Sequence, residues 1–193
     1  MEFSEIVKKR RSIRSYNGEP VKDEDLKKII EAAVYAPSGG NNQTSHFLVF
    51  TNRDKISELS RLVSDEFSKM LPYEGMYKSK ISSIKRAKSG NYDFTYGAPV
   101  LILIANRTDY SNAMADSVLC LDNMLLQATE LGISSCYVNQ VNWLREDPSV
   151  LQFLYECGLK ENERVFCSGV FGYSDAKELP PLERKGNIST FID

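Results

Sequence analysis

Val100-Leu101-Ile102-Leu103-Ile104-Ala105 is an apolar run with no polar residue inside it. A half-solvated strand alternates apolar and polar residues, so an unbroken run of this length reads as a central strand buried on both faces. Working outward, His46 to Thr51, Ser135 to Val138 and Val165 to Phe171 also read as strands. Helical patterns lie between them. Phe3, Ile6 and Val7 give a short first helix that ends near an arginine cluster. Leu26, Ile29, Ile30, Ala33 and Val34 follow helical spacing, with Asp23 or a neighbour as cap and Pro37 as the stop. Leu59, Leu62, Val63, Phe67 and Met70 mark a third helix opened by Asp54, and Asp147-Pro148 opens another that reaches about Cys157. Asn112 to Leu131 is a long helix ended by Gly132. Its polar stripe of Asp116, Asn123, Gln127 and Glu130 is narrow, so most of its sides are expected to be buried, which points to a subunit interface. Roughly four strands and five or six helices are interleaved. Tyr73 to Tyr96 is the least regular region, and the tail from Ser174 is polar with a β-like end at Ile188 to Ile192, expected to extend across a partner subunit.

The chain has 193 residues, 42% hydrophobic and 26% charged, with a formal net charge of -2. That length predicts one domain with a real core. The charge balance argues against a general nucleic-acid binder. No apolar run approaches the roughly 20 residues that span a bilayer. The start, Met1-Glu2-Phe3-Ser4-Glu5, does not read as a secretory signal, so a cytoplasmic protein with reduced thiols is expected. Cys120, Cys136, Cys157 and Cys167 are scattered and His46 is the single histidine, so a zinc site is not expected.

Two short segments carry the chemistry. Arg10-Arg11-Ser12-Ile13-Arg14 packs guanidinium forks and a hydroxyl into five residues, with Arg10 and Arg14 four apart on one expected helix face. It reads either as a phosphate clamp or as a solvated basic turn. Ala36-Pro37-Ser38-Gly39-Gly40-Asn41-Asn42-Gln43 offers flexible backbone and amide groups suited to a flat polar ring, or is an ordinary helix-to-strand connection. Together they suggest a site for one anionic, planar cofactor. Neither matches a phosphate loop or a dinucleotide fingerprint. Tyr73 to Tyr96 mixes aromatic and basic residues, which fits an active-site cover, a nucleic-acid surface or a solvated excursion. His46 reads as structural rather than as a general acid. No hydrolase motif is present, which favours a cofactor enzyme.

Arg10-Arg11-Ser12-Ile13-Arg14-Ser15-Tyr16, followed by Ala36-Pro37-Ser38-x-x-Asn41-x-Gln43, resembles the opening of the nitroreductase family of FMN-dependent oxidoreductases. Gly97-Ala98-Pro99-Val100, Leu131-Gly132-Ile133-Ser134-Ser135-Cys136, and Gly172-Tyr173 ahead of Pro180-Pro181 and Arg184-Lys185 extend the likeness in order over nearly the whole chain. The resemblance implies an α+β fold with a mixed, largely antiparallel sheet packed among helices. It also implies one FMN-binding domain over 1–193, and an intertwined homodimer with flavins at the interface. Arg10, Arg11 and Ser12 would hold the FMN phosphate and ribityl chain, and Arg14 the pyrimidine end of the ring. Pro37, Ser38, Gly39 and Asn41 would reach the flavin from the other subunit. The stretch from Cys136 through Tyr137, Val138, Asn139 and Gln140 would run along the ring, with a backbone N–H near Asn139 or Gln140 facing N5. Arg184 and Lys185 would close on the phosphate. No catalytic side chain is implied.

The implied reaction is a ping-pong transfer of hydride from NADH or NADPH through flavin N5 to a nitroaromatic, quinone or similar small acceptor. Alternatives are a specialised member of dehalogenase, ring-oxidase or flavin-degrading type, or a non-catalytic flavin-binding module. No nucleic-acid or membrane partner is expected. The chain departs from the family's usual Gln-Pro-Trp with Gln43-Thr44-Ser45, and Tyr137-Val138-Asn139-Gln140 is more polar than the family's Gly- or Pro-containing version.

Overall fold

The apolar run is the second of four strands: β1 (His46–Phe50), β2 (Val100–Arg107), β3 (Ser134–Val138) and β4 (Glu163–Gly172). They form one sheet in the order β1-β2-β4-β3, and every neighbouring pair is antiparallel. The computed structural model describes residues 1–90, 92–176 and 180–192, so Asn91 of the tyrosine-rich region and Lys177, Glu178 and Leu179 of the tail lie outside the described residues. Among the described residues seven α-helices surround the sheet: α1 (Phe3–Lys9), α2 (Asp23–Val34), α3 (Arg53–Lys69), α4 (Lys78–Lys88), α5 (Ala113–Glu130), α6 (Gln140–Trp143) and α7 (Pro148–Glu156). None of the described helices is long and apolar enough to cross a membrane.

Because strand side chains alternate between faces, β2 serves two cores. Leu101, Leu103 and Ala105 face a cluster with Phe67 of α3, Ile84 of α4 and Leu154 of α7. Val100, Ile102 and Ile104 face the other side, against Ile29 of α2 and Met124 of α5. This two-sided burial is why the run has no polar member. A bulge at Phe166 shifts the β2–β4 register between Ile104 and Ala105.

Local chemistry sets the helix ends. The Asn52 side chain accepts from the Asp54 and Lys55 amides and caps α3, so the cap lies two residues before the expected Asp54. Asp147 caps α7, with Pro148 in its first turn. Gly132, at φ +73°, ends α5 while the Ile133 N–H reaches back to the Ala128 carbonyl at 2.8 Å. Lys22 precedes α2 without a side-chain cap, so Asp23 is the first helical residue rather than the cap.

Three expectations change and one short helix is added. The 73–96 region contains an ordered helix, α4. Ile84 and Ala87 make its buried face, and the lysines and arginine that hid this pattern in the sequence face solvent. Gln140 to Trp143 forms a short helix that the sequence pattern did not mark. The Ile188–Ile192 end is exposed and forms no strand. The burial of α5 departs from the expected stripe only in its first two turns, while Cys120, Leu121, Met124, Leu125 and Ala128 are buried and Glu130 is exposed as expected. Asp116 of the supposed polar stripe is buried at 4% exposure, whereas Met114, Val118 and Leu119 are 48%, 43% and 43% exposed. The long helix therefore carries an apolar strip with no covering layer in a single chain.

Candidate functional site

The arginine segment is not helical. α1 stops at Lys9, and Ser12 pairs with Ser135 as an isolated parallel bridge, the Ile13 N–H donating to the Ser135 carbonyl at 2.9 Å. An extended chain puts residues two apart on one side. Arg10, Ser12 and Arg14 therefore share a face, whereas the sequence placed Arg10 and Arg14 together by helical spacing. All three act on Cys136 of β3. Burial pushes the Cys136 thiol above its ordinary value, while Arg14, the Ser12 hydroxyl and Arg10 pull it back. Two guanidinium groups and a hydroxyl thus converge beside β3, a donor set suited to a phosphorylated ligand.

Arg11 and Ile13 face the other way. They line a cleft of about 640 Å³ with Lys8, Lys9, Ser135 and Pro180. Arg11 Nη1 donates to the Pro180 carbonyl at 2.8 Å, tying the C-terminal tail to this edge. Arg184 and Lys185 follow in that tail as exposed residues, and Lys185 pairs with Glu183 at 3.0 Å. Lys8 and Lys9 were not expected at the site. Their signal was present in the sequence, as cations next to the arginines.

The strand end beyond β3 is shaped by a buried polar chain. The Gln140 amide donates to the Tyr92 hydroxyl at 2.8 Å, and Tyr92 donates to Ser83 of α4 at 2.7 Å. The same Gln140 side chain accepts the Asn139 backbone N–H at 2.9 Å. Tyr137 is exposed and donates to Asn139 Oδ1 at 3.0 Å. Burial raises the Tyr137 phenol, with Cys167 and Tyr77 adding to the rise. Tyr77 packs edge-on against Trp143 with ring centroids 6.2 Å apart. Aromatic surface and α4 therefore lie beside the strand end, as an active-site cover requires.

The Pro37 to Gln43 loop is elsewhere. It leads into β1, at the far edge of the sheet. From β1 to the Ser12 segment there are four strand-to-strand steps of about 4.8 Å, or roughly 19 Å. Within one chain the structure does not bring Pro37, Ser38, Gly39 and Asn41 to Arg10, Ser12 and Arg14. The loop sits instead at the start of α5, where the Gly39 N–H donates to both carboxylate oxygens of Asp116 at 3.3 and 3.2 Å. Asn41 and Gln43 hold positive φ of 55° and 50°, and both are exposed.

Two other polar centres are structural. His46 Nδ1 lies 2.8 Å from Glu163 Oε2 at the end of the sheet. Asp93 sits by a hollow of about 550 Å³ next to α3. Burial alone would raise its carboxyl, but bonds from Thr95, Ser60 and the Gly97 amide hold it below the ordinary value. Among the described residues no group of histidines, cysteines and carboxylates is arranged to hold a metal ion.

Comparison with known proteins follows the same lines. A family model described as "Nitroreductase family" matches residues 7–173. The crystal structure of a nitroreductase with bound FMN from Bacteroides fragilis superimposes with a TM-score of 0.89, at 32% identity and with 100% of each chain covered. A protein of Archaeoglobus fulgidus, provisionally named NADH dehydrogenase/NAD(P)H nitroreductase, is 31% identical over 96% of this chain and 94% of its own. Iodotyrosine deiodinase 1 of Rattus norvegicus is 29% identical over 95% of this chain and 66% of its own.

Proposed function

The chain belongs to the nitroreductase family, and from that premise we propose that it is an FMN-dependent oxidoreductase drawing on NADH or NADPH. Its acceptor is proposed to be a nitroaromatic, quinone or similar small planar molecule. The observation that carries this reading is the shared face of Arg10, Ser12 and Arg14 beside Cys136, next to the polar strand end at Tyr137 to Gln140. The donor set fits the group. Two permanent cations and a hydroxyl suit a phosphate and a polar ring edge, and no competing carboxylate acts on Cys136 among them.

FMN, when bound, supplies the hydride and electron transfer, which no side chain here performs. The protein holds and orients it. Arg10 and Ser12 hold the phosphate and ribityl chain, and Arg11, through Pro180, keeps the tail with Arg184 and Lys185 at the same edge. Arg14 places fixed positive charge at the pyrimidine end of the ring. Tyr137, Val138, Asn139 and Gln140 run along the ring. Because the Asn139 N–H is already bonded to the Gln140 side chain, the Gln140 backbone N–H is the donor of the pair left to face N5; as the first helical residue of α6 it has no acceptor within the helix. The exposed ring of Tyr137 and the nearby Tyr77 favour a flat aromatic acceptor.

The site takes its remaining part from a second copy of the chain. Met114, Val118 and Leu119 form an apolar strip on α5 that a homodimer covers, and the Pro37, Ser38, Gly39 and Asn41 loop lies too far from the clamp to serve it in the same chain. The visible spectrum of the purified protein, followed by anaerobic bleaching with NADH and with NADPH, tests the reading. A yellow protein bleached by at least one of them is expected. A colourless protein that gains no flavin absorbance after incubation with FMN overturns the proposal. A panel that pairs a nitroaromatic and a quinone with a halogenated phenol then separates the reductase reading from the specialised one.

A further inference from the structure

The start of α5 holds a buried carboxylate that the proposed chemistry leaves without a task. Asp116 lies in the first turn of α5, yet it is turned across to the 37–43 loop. Both of its oxygens accept the Gly39 N–H, and Oδ2 also accepts the Tyr110 hydroxyl at 2.7 Å. The Tyr110 oxygen stands 3.2 Å from the Gly39 carbonyl as well, a second acceptor for the same proton. A Cβ on Gly39 would meet Asn112 Nδ2 at 2.2 Å and the Tyr110 hydroxyl at 2.6 Å. Tyr110 and Asn112 therefore close a socket around Gly39, whose N–H Asp116 holds, and any side chain added there must displace one of them.

Just beyond the socket the backbone is strained. Gly40, Asn41 and Gln43 all hold positive φ, and the Gln43 N–H is turned back to the Ser38 hydroxyl at 3.1 Å. Non-glycine residues keep such conformations only where their surroundings enforce them, and they concentrate at ligand clamps. Here the enforcement comes from one end. The side chains of Asn41 and Gln43 are exposed, so none of the described residues packs over the strained tip. The tip is held in shape without being covered.

We propose that Asp116 and Tyr110 are positioning residues that seat Gly39 and thereby pre-set the 37–43 loop for the flavin site of the partner subunit. This rests on the FMN reading above. Asp116 lies near the start of α5, whereas Thr129 near its end shares the cleft of Arg11. Thirteen residues of helix at 1.5 Å each separate them by about 20 Å. The socket therefore governs a site its own arginines do not form, and its removal weakens the neighbour's flavin.

Mixed dimers make this testable by FMN binding, independently of turnover. The Asp116→Ala homodimer is expected to stay dimeric by sedimentation and to bind FMN about 10-fold or more weakly. Asp116→Asn, whose amide oxygen still accepts from Gly39, recovers part of that loss. Differently tagged subunits then pair one Asp116→Ala chain with one Arg10→Ala/Arg14→Ala chain. If the loop serves the partner, both defects fall in one site and the other keeps wild-type affinity for FMN. Two weakened sites with none of wild-type affinity overturn the proposal, as does unchanged FMN affinity in the Asp116→Ala homodimer. Should Asp116→Ala fail to dimerise, Tyr110→Phe, which removes one hydroxyl, takes its place with the same two outcomes. A wild-type protein that binds no FMN refutes the functional reading and this inference together; FMN binding insensitive to both substitutions refutes this inference alone.

Discussion

Gly39→Ala and Gly40→Ala form a pair whose order follows from the socket and contradicts backbone reasoning alone. Gly40 holds φ +59°, so an alanine there sits in the left-handed region, at about 1–2 kcal/mol. Its new Cβ has open space, the nearest atom being Asn42 Nδ2 at 3.8 Å. Gly39 shows no positive φ, and by backbone criteria it accepts alanine freely. Its new Cβ, however, meets Asn112 Nδ2 at 2.2 Å and the Tyr110 hydroxyl at 2.6 Å. Asn112 is an exposed side chain and can turn away. Tyr110 can move only by releasing Asp116, which loses a charge-assisted hydrogen bond of about 1.5–3 kcal/mol and leaves a buried carboxylate short of a donor at about 1–3 kcal/mol more. Both alanines regain about 0.4–1 kcal/mol by restricting the unfolded chain. The net expectation is about 3 kcal/mol for Gly39→Ala and about 1 kcal/mol for Gly40→Ala. For a chain of this size, where 1 kcal/mol moves Tm by about 2–4 °C, the first lowers Tm by about 6–12 °C and the second by about 2–4 °C. Thermal unfolding at one fixed protein concentration, without added FMN, reads both. Equal shifts, or a larger one for Gly40→Ala, refute the socket.

Two further perturbations follow from the core and the ion pairs. Phe67→Ala empties a fully buried position that packs edge-on against Tyr92 and Trp143 at 6.1 and 6.2 Å, so it costs about 3–5 kcal/mol and shifts the emission of the single tryptophan to the red; urea unfolding followed by fluorescence checks both. Glu163 is the pH-dependent case: burial on its own raises its carboxyl, but the bonds from His46 and from the Lys160 amide, with the charges of both, hold it below its ordinary value of 4.5. A carboxyl lowered in the folded state contributes stability above its unfolded value, and that contribution is lost as pH falls through the folded value. Glu163→Gln therefore destabilises by about 1–3 kcal/mol at pH 7, and its Tm converges on that of the wild type in acid; a difference that persists unchanged at low pH contradicts the assignment.

Much of this protein is legible one segment at a time. The run at Val100 to Ala105 announces burial on both faces because each of its residues meets one of two cores. Asp147-Pro148 announces a helix start because the cap is made by neighbours in sequence. The family resemblance is legible for the same reason, since its motifs are short and ordered along the chain. The failures share the opposite cause. Arg10 and Arg14 were paired by helical spacing, but Ser12 bridges to Ser135, far away in sequence, and the period becomes two. In the 73–96 region the basic residues of α4 hid a buried face that only packing against α3 reveals.

What the sequence by itself determined is therefore the four strands and five of the helices, the membership of the family and the kind of ligand chemistry, because propensity, capping and motif are local properties of the chain. Only the tertiary structure decided which groups act together. It put Arg10, Ser12 and Arg14 on one face, turned Arg11 to the tail, gave the Asn139 N–H to Gln140, and buried Asp116 while exposing Met114, Val118 and Leu119. It also set the loop at the edge of the sheet opposite the arginines. Each of these depends on strand order and on contacts between residues distant in sequence, and hydrophobic periodicity carries no information about which distant partner a face will meet.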